Sequence, residues 1–480
     1  MTIQYIEVTM AAIPLCVDLD GTLTSSDLLI ESFFALVKRN PLYLLYCLEW
    51  LLRGKAYLKA QIAEHAAIDV SLLPYNGRLI DFLKKESAAG RDLYLCTAGN
   101  QRFAEQIARH LGFFKGVMSS NESINLSGTN KASVLTAEFG VQGFDYCGNA
   151  RADLPVWKQS RTAIVVGGKS IQAAARKVNQ TTVIFDNKRS LFRLAVREMR
   201  VYQWVKNLLI FVPLLASHRF TNIDALKVAG IAFLSFCLCA SSVYILNDML
   251  DLDADRRHSR KCKRPFASGE LPLVSGIGML FVLLLASASL AVFLPPAFQL
   301  VLACYVAMTL AYSFHLKRVM LVDVFTLAAL YTTRIVAGGA AVDVVPSDWL
   351  IMFSVMIFLS LALVKRYTEL DKMQREGKDS TSGRGYLTAD MSIVRSFGPA
   401  AGYVAVLVLA LYMNSAAVTG LYRHPHRLWI FFVLVLYWIS RVWMVAFRGQ
   451  MHDDPIVYAF RNRSSLVIMM LCVAAVLFAI

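Results

Sequence analysis

The sequence predicts a protein in two parts, a soluble globular half followed by an all-α integral membrane half of about nine transmembrane helices. Two observations carry this. Across 480 residues the hydrophobic content is 56% and the mean hydropathy is +0.50, too apolar for an ordinary soluble chain. The apolar residues are also unevenly spread. Up to about Asp186 charged and apolar runs mix as in a globular domain, whereas beyond Asn207 apolar segments of spanning length recur.

A helix needs roughly 20 apolar residues to cross the hydrocarbon core. Nine segments qualify, at about 205–217, 226–246, 272–293, 297–313, 320–341, 348–364, 396–419, 427–447 and 464–480; the first and fourth are short. The chain thus divides into a soluble domain over 1–186, an amphipathic linker over 187–204 and a membrane domain over 205–480.

The loops at 248–271, 314–319, 365–395 and 448–463 hold 6, 2, 7 and 3 Lys or Arg residues, against about three in the four opposite loops. This asymmetry predicts that the N-terminal domain and these loops share the cytoplasmic side of a bacterial-type inner membrane. The net charge of +15 then serves the membrane surface and anionic substrates, and nucleic-acid binding is not expected. The start, MTIQYIEVTMAAIPLCVDLDG, lacks a basic region and meets acidic residues early, so no signal peptide is expected. Nine cysteines without a CxxC pair point to reduced thiols, not to zinc or a disulfide framework.

IPLCVDLDGTLTSSD reads as a buried strand entering a turn at Asp18, Leu19, Asp20, Gly21 and Thr22. Alternation puts Asp18 and Asp20 on one side of the strand end, and Gly21 lets the backbone turn sharply. Two such carboxylates can share a magnesium ion, one attacking a phosphorus atom while the other handles a proton. For a DxD pair alone, an acidic surface turn is the commoner outcome.

The full string DLDGTLT, followed in order by LYLCTAGN, GTNKASVL and FDYCGNARADLPVW, resembles the haloacid dehalogenase superfamily of phosphatases over roughly residues 13–186. The resemblance implies an α/β, Rossmannoid fold. It also implies a nucleophile at Asp18, a general acid and base at Asp20, a phosphoryl-holding hydroxyl at Thr97 and a charge-neutralising cation at Lys131. A magnesium site would draw on Asp18, Asp20, Asn149 and Asp153. This chain departs from the family pattern at Asn149, where an acidic residue is usual; a carboxamide oxygen still ligates magnesium, but without the negative charge.

Residues of about 25–74 form an insertion containing ESFFALVKRNPLYLLYCLEWLLRGKAYL. Its apolar run is interrupted by Glu49 and bounded by Lys38, Arg39, Arg53 and Lys55, so it is too short and too charged to span. A small helical cap is expected, and its aromatic and leucine surface could also rest on a bilayer and bring the domain to a lipid substrate.

In SSVYILNDMLDLDADRRHSRKCKRPFASGELP an apolar helix ends in four aspartates and an asparagine within nine positions. At helical spacing Asn247, Asp251 and Asp255 fall at i, i+4 and i+8, with Asp248 three residues before Asp251. Clustered carboxylates repel, and holding them at a membrane interface costs free energy unless cations intervene. Magnesium takes oxygen ligands and bridges to a diphosphate; the alternative is a solvated acidic cap balanced by the basic run Arg256–Arg264.

NDxxDxxxD at the end of the second apolar segment resembles the UbiA-type membrane prenyltransferase superfamily, over about residues 197–480. In that family the motif holds Mg-diphosphate above a membrane cavity. The second aspartate-rich motif of typical aromatic prenyltransferases is missing; the corresponding loop, LVKRYTELDKMQREGKDSTSGRGYL, is led by Lys365 and Arg366. Together with MRVYQWVKNLLIF, AYSFHLKRVMLVDVF and YTTRIVAGG, this looks like the decaprenyl-phosphate phosphoribosyltransferase branch.

That resemblance implies transfer of 5-phosphoribose from phosphoribosyl diphosphate to a polyprenyl phosphate. Asn247, Asp248, Asp251 and Asp255 would bind Mg-diphosphate of the donor, flanked by Tyr312, Lys317 and Asp323. Lys206, Lys365 and Arg366 would meet the lipid phosphate. Arg334, inside a span, faces a polar cavity or serves as a structural pairing residue. MHDDPIVYAFRNRSSL adds Asp453 and Asp454 at the same membrane face. The fused phosphatase would then remove the 5-phosphate from the lipid product. Two rivals are a prenyltransferase that uses the same aspartates on an aromatic or lipid acceptor, and a transporter or lipid-binding scaffold with a regulatory N-terminal domain. The missing second motif weighs against the first, and the NDxxDxxxD cluster against the second.

Overall fold

The computed structural model describes residues 13–120, 126–180, 182–185, 190–377, 384–415, 418, 422–451 and 454–480. The chain forms two compact units, Met1–Glu198 with Ile245–Met279, and Met199–Tyr244 with Leu280–Ile480.

The first unit opens with β1 (Leu15–Val17) and continues through three helices, α1 (Leu28–Arg39), α2 (Tyr43–Leu52) and α3 (Lys55–His65). These three helices occupy the insertion of about 25–74, for which a small helical cap is proposed. Strands and helices then alternate: α4 (Gly77–Ala88), β2 (Leu93–Asn100), α5 (Gln101–Leu111), β3 (Gly116–Ser120), α6 (Thr129–Phe139), β4 (Asp145–Gly148), α7 (Leu154–Gln159), β5 (Ala163–Val166), α8 (Lys169–Val178), β6 (Thr182–Phe185) and α9 (Leu191–Glu198). The strands form one parallel sheet in the order β3-β2-β1-β4-β5-β6, the expected α/β fold. Short apolar runs such as Leu15–Val17 and Ala163–Val166 are buried throughout, because helices cover both faces of a parallel sheet.

Leu15 pairs with Leu93 on one side and Asp145 on the other, so β1 lies between β2 and β4. The strand order reverses there, and the crevice at the C-terminal ends of these strands is where such sheets bind ligands. Helix α1 starts cleanly because the Asp27 carboxylate accepts from the Leu29 and Ile30 N–H groups, and Lys38 and Arg39 close its last turn with charges that suit the helix dipole.

In the second unit a 3₁₀ run of 11 residues, Val201–Phe211, leads into α10 (Val212–Ala216). Helix α11 (Ile223–Leu250) follows and carries the chain from this unit into the first, which also holds α12 (Leu252–Arg257). The chain then builds α13 (Leu273–Ala291), α14 (Pro296–Phe314), α15 (Val322–Val342), α16 (Asp348–Arg375), α17 (Met391–Met413), α18 (Leu428–Phe447), α19 (Pro455–Arg461) and α20 (Arg463–Ala479). Gly338 of α15 packs on the 3₁₀ run so closely that a Cβ would strike the Ile210 carbonyl; small residues permit such approach where helices pack in a membrane.

Among the described residues seven helices are long and apolar enough to cross a membrane, and α19 with α20, bent by 83°, makes an eighth as a pair. The expectation of about nine is corrected accordingly. The segment predicted at 205–217 falls on the 3₁₀ run and the 5-residue α10, with Pro213 at the junction, so it forms no single spanning α-helix. The other eight segments coincide with helices, which makes this an integral membrane protein.

Candidate active sites

In the first unit the edge around β1 gathers the predicted phosphatase residues. Asp18 follows β1 directly, and its Oδ1 accepts from the buried Lys131 ammonium at 2.7 Å. Thr22 donates more weakly to the other oxygen, at 3.4 Å. Gly21 turns the chain with φ +77°, and a Cβ there would collide with the Asn149 carboxamide, so Asn149 stands against the aspartate turn. Thr97, fully buried in the second half of β2, is fixed as its hydroxyl accepts from the Gly99 N–H at 2.9 Å. Asp20 accepts from the Leu28 N–H at 2.9 Å, which ties the turn to the start of α1.

Asp153 turns both oxygens to the protein. Oδ1 accepts from the Tyr146 hydroxyl at 2.9 Å, and Oδ2 from the Asn149 and Ala150 N–H groups at 3.0 and 2.9 Å. Tyr146 in turn accepts from Lys131 at 2.9 Å. Asp153 therefore braces Lys131 through Tyr146, a residue whose role no sequence motif announced. The oxygens that remain for magnesium are those of Asp18 and Asn149, with Asp20 beside them, a donor set of the right hard-oxygen type.

Burial, more than any neighbour, raises both turn carboxyls above their ordinary range, Asp18 to about 6 and Asp20 to about 7. Lys131 opposes the shift at Asp18, whereas Asp27 reinforces it at Asp20. The folded state thus binds these protons more tightly than an unfolded chain, in which the pKa is about 3.9. Their stabilising contribution is complete below about pH 4 and is lost as pH rises through about 7. Asp20→Asn keeps an oxygen for Leu28 N–H. In EDTA it is expected to raise the Tm of the protein at about pH 8 and to leave it nearly unchanged at about pH 4. A lower Tm at the higher pH would contradict this.

The aspartate-rich segment also belongs to the first unit. The expected continuous helix face is broken, since α11 stops at Leu250 and Asp251, at φ −101° and ψ 17°, begins α12. Backbone bonds Asp251 N to Asn247 O, 2.9 Å, and Asp255 N to Asp251 O, 2.8 Å, still keep the three residues in i, i+4 relation. Arg264 bridges Asp248 and Asp255 at 2.9 and 2.5 Å, and Lys38 of α1 meets Asp251 at 2.8 Å. Nearby, Arg256 makes a buried two-pronged pair with Glu31, one arm at 3.0 Å. Burial pushes the Asp255 carboxyl up, against the pull of Arg264.

Among the described residues no three carboxylates, histidines or cysteines converge on one point as a ready metal site; cations already answer the aspartates. The chemistry nevertheless suits magnesium. All donors are oxygens, and the buried Asn247 Oδ1 has no hydrogen-bond partner, which is costly unless something else meets it.

The second unit holds the predicted cations. Lys206 and Lys365 share Asp454, at 2.9 and 3.6 Å, and Lys206 also lies over the Tyr331 ring. Arg366 and Asp323, both without any solvent exposure, pair at 2.7 Å, while Tyr386 donates to Asp323 at 2.6 Å. Glu369 takes the other side of Arg366. Arg334 donates to Asn207 at 2.8 Å and to the Leu330 carbonyl, and stacks with Phe236, Tyr305 and Tyr331, so it is firmly paired inside its span. Tyr312 lies half-buried near the end of α14 and Lys317 in the turn after it. Asp453 lies outside the described residues.

Removing one partner of a buried ion pair costs about 3–5 kcal/mol, because the other charge stays buried. Arg366→Met is therefore expected to lower unfolding stability in detergent by about that amount. Arg366→Met combined with Asp323→Leu should recover most of it, and equal losses in the two variants would rule out the pair as the cause.

Residues 208–476 match the model of the UbiA prenyltransferase family, and residues 15–158 match that of haloacid dehalogenase-like hydrolases. The chain belongs to the UbiA prenyltransferase family, a family of membrane transferases, and carries a haloacid dehalogenase-like domain before it. It is 37% identical to the uncharacterized protein y4nM of Sinorhizobium fredii over 97% of this chain and 91% of that one. It is 39% identical to nodulation protein NoeC of Azorhizobium caulinodans over 56% of this chain and 87% of the relative. Decaprenyl-phosphate phosphoribosyltransferase of Mycobacterium tuberculosis is 38% identical over 38% of this chain and 62% of its own length.

Proposed function

We propose that the membrane half transfers 5-phosphoribose from phosphoribosyl diphosphate to a polyprenyl phosphate, and that the N-terminal domain then removes the 5-phosphate from the lipid product. The observation that carries this reading is the aspartate segment Asn247–Asp255 in a chain similar to decaprenyl-phosphate phosphoribosyltransferases. Magnesium, held by Asn247, Asp248, Asp251 and Asp255 at one site and by Asp18 and Asn149 with Asp20 beside them at the other, would supply positive charge to phosphate oxygens; Asp153, whose oxygens both face the protein, braces Lys131 through Tyr146 instead.

In the first step the bond from ribose C1 to the diphosphate oxygen breaks and a lipid phosphate oxygen bonds to C1, with no protein nucleophile. Lys206 and Lys365 would orient the lipid phosphate, whereas Arg366 and Asp323, buried against each other, brace that region from within. In the second step Asp18 attacks phosphorus as Asp20 protonates the departing ribose oxygen, and Asp20 then takes a proton from the water that splits the aspartyl-phosphate. Lys131 and Thr97 hold the phosphoryl oxygens.

The test supplies purified protein with magnesium, polyprenyl phosphate and ribose-labelled phosphoribosyl diphosphate. Label is expected in the lipid extract only when lipid phosphate and magnesium are both present. Prenyl transfer to an aromatic acceptor without ribosyl transfer would move the protein to the rival chemistry.

Orientation follows the charge asymmetry, with the N-terminal domain and loops 248–271 and 365–395 cytoplasmic. The Arg256–Glu31 pair supports one shared side for the cap and the first of these loops. Cysteine probes in these loops should resist a membrane-impermeant reagent applied to whole cells, and one near His424 should react. The opposite pattern inverts the topology.

A further inference from the structure

We infer that α2 of the cap is an interfacial membrane anchor, seated in the headgroup and acyl boundary of the bilayer that holds the rest of the chain. The proposal rests on the geometry of one short helix and does not depend on which lipid the protein modifies.

Helix α2 places Leu44, Leu45, Leu48, Leu51 and Leu52 at i, i+1, i+4, i+7 and i+8, a single stripe of a helical surface. All five are exposed, Leu52 at 89% and Leu45 at 66%. The opposite side holds Cys47 and Trp50, which are buried in the domain core. Five leucines on one stripe are more than scattered surface apolar residues; a contiguous exposed patch of this kind marks an interaction face.

The occupant is identified by what borders the stripe and by where the chain goes. Arg39 before the helix and Arg53 after it are exposed cations, placed to reach lipid phosphates while the leucines enter the acyl region. The acid within α2, Glu49, is answered by Arg53 at 2.6 Å. At the end of the same domain α9 shows a second apolar side, with Leu191, Phe192 and Val196 exposed beside Arg193. Only two residues separate α9 from the apolar 3₁₀ run of the membrane half, so the domain is tethered within reach of a bilayer. Ten residues are too few for α2 to span, which leaves the plane of the interface.

The experiment places the photoreactive residue p-benzoylphenylalanine at Leu48 of the full chain in nanodiscs of phosphatidylethanolamine and phosphatidylglycerol. Irradiation is expected to give phospholipid adducts at position 48, at least fivefold above those from the same substitution at Val141, an exposed position elsewhere on the domain. Adding Leu44→Glu and Leu51→Glu should remove the adduct at position 48 while the membrane half stays inserted. Absence of lipid adducts at position 48, or adducts to a second copy of the chain, would overturn the anchor. The crosslink reads position, not turnover, so it stands or falls separately from the proposed ribosyl chemistry.

Discussion

Asp18→Asn is expected to leave phosphoribosyl transfer intact and to make lipid-linked 5-phosphoribose accumulate, with dephosphorylation slowed roughly a thousandfold or more. The side chain keeps its size and an oxygen for Lys131, which now lies 2.7 Å from the carboxylate, but it can no longer form an acyl-phosphate. Because the new carboxamide oxygen and the Tyr146 hydroxyl can both accept from the buried Lys131 ammonium, the protein should remain folded. Mass measurement of the extracted lipid checks this. Identical, fully phosphorylated lipid from wild type and variant would show that the N-terminal domain does not carry out the second step.

Asp251→Ala is expected to produce the converse: ribosyl transfer falls at least about a hundredfold, while supplied lipid-linked 5-phosphoribose is still hydrolysed. Asp251 is the member of the cluster best suited to this test. Asp248 and Asp255 are both committed to Arg264, so their loss exposes that arginine to an unpaired state. Asp251 meets Lys38, whose side chain is 29% exposed and can turn to water at small cost. Parallel assays of the two half-reactions on one preparation separate chemistry from folding. Undiminished transfer would sink the donor-site assignment, and loss of both activities would point to damage beyond one site.

What the sequence disclosed depended on distance along the chain. Asp18, Thr97, Lys131 and Asn149 were legible because each sits in a local string at a strand or helix end, and a parallel sheet brings those ends together. Asp251 and Asp255 were legible as a spacing, although the helix break at Asp251 was not, because both backbone bonds survive it. Pairings over long separations left no local signal. Tyr146 under Lys131, Asp454 under Lys206 and Tyr386 on Asp323 are joined only by the fold. The segment at 205–217 was misjudged for another reason. Hydropathy windows read apolar content alone, whereas here the apolar residues divide between a 3₁₀ run of 11 residues and an α-helix of only 5, with Pro213 at the junction.

The contact between Lys38 and Asp251 joins α1 of the N-terminal domain to the loop that the proposed function gives to the sugar donor. Whatever claims Asp251 must take it from Lys38, and so loosens one end of α1 while Arg256 still grips Glu31 at the other. Linkage makes this trade symmetrical: if donor binding frees the cap by some factor, a cap drawn away from the loop raises donor affinity by the same factor. A cap displaced by its lipid product would therefore leave the loop readier for the next donor, and the tempo of the first reaction would be set in part by the progress of the second.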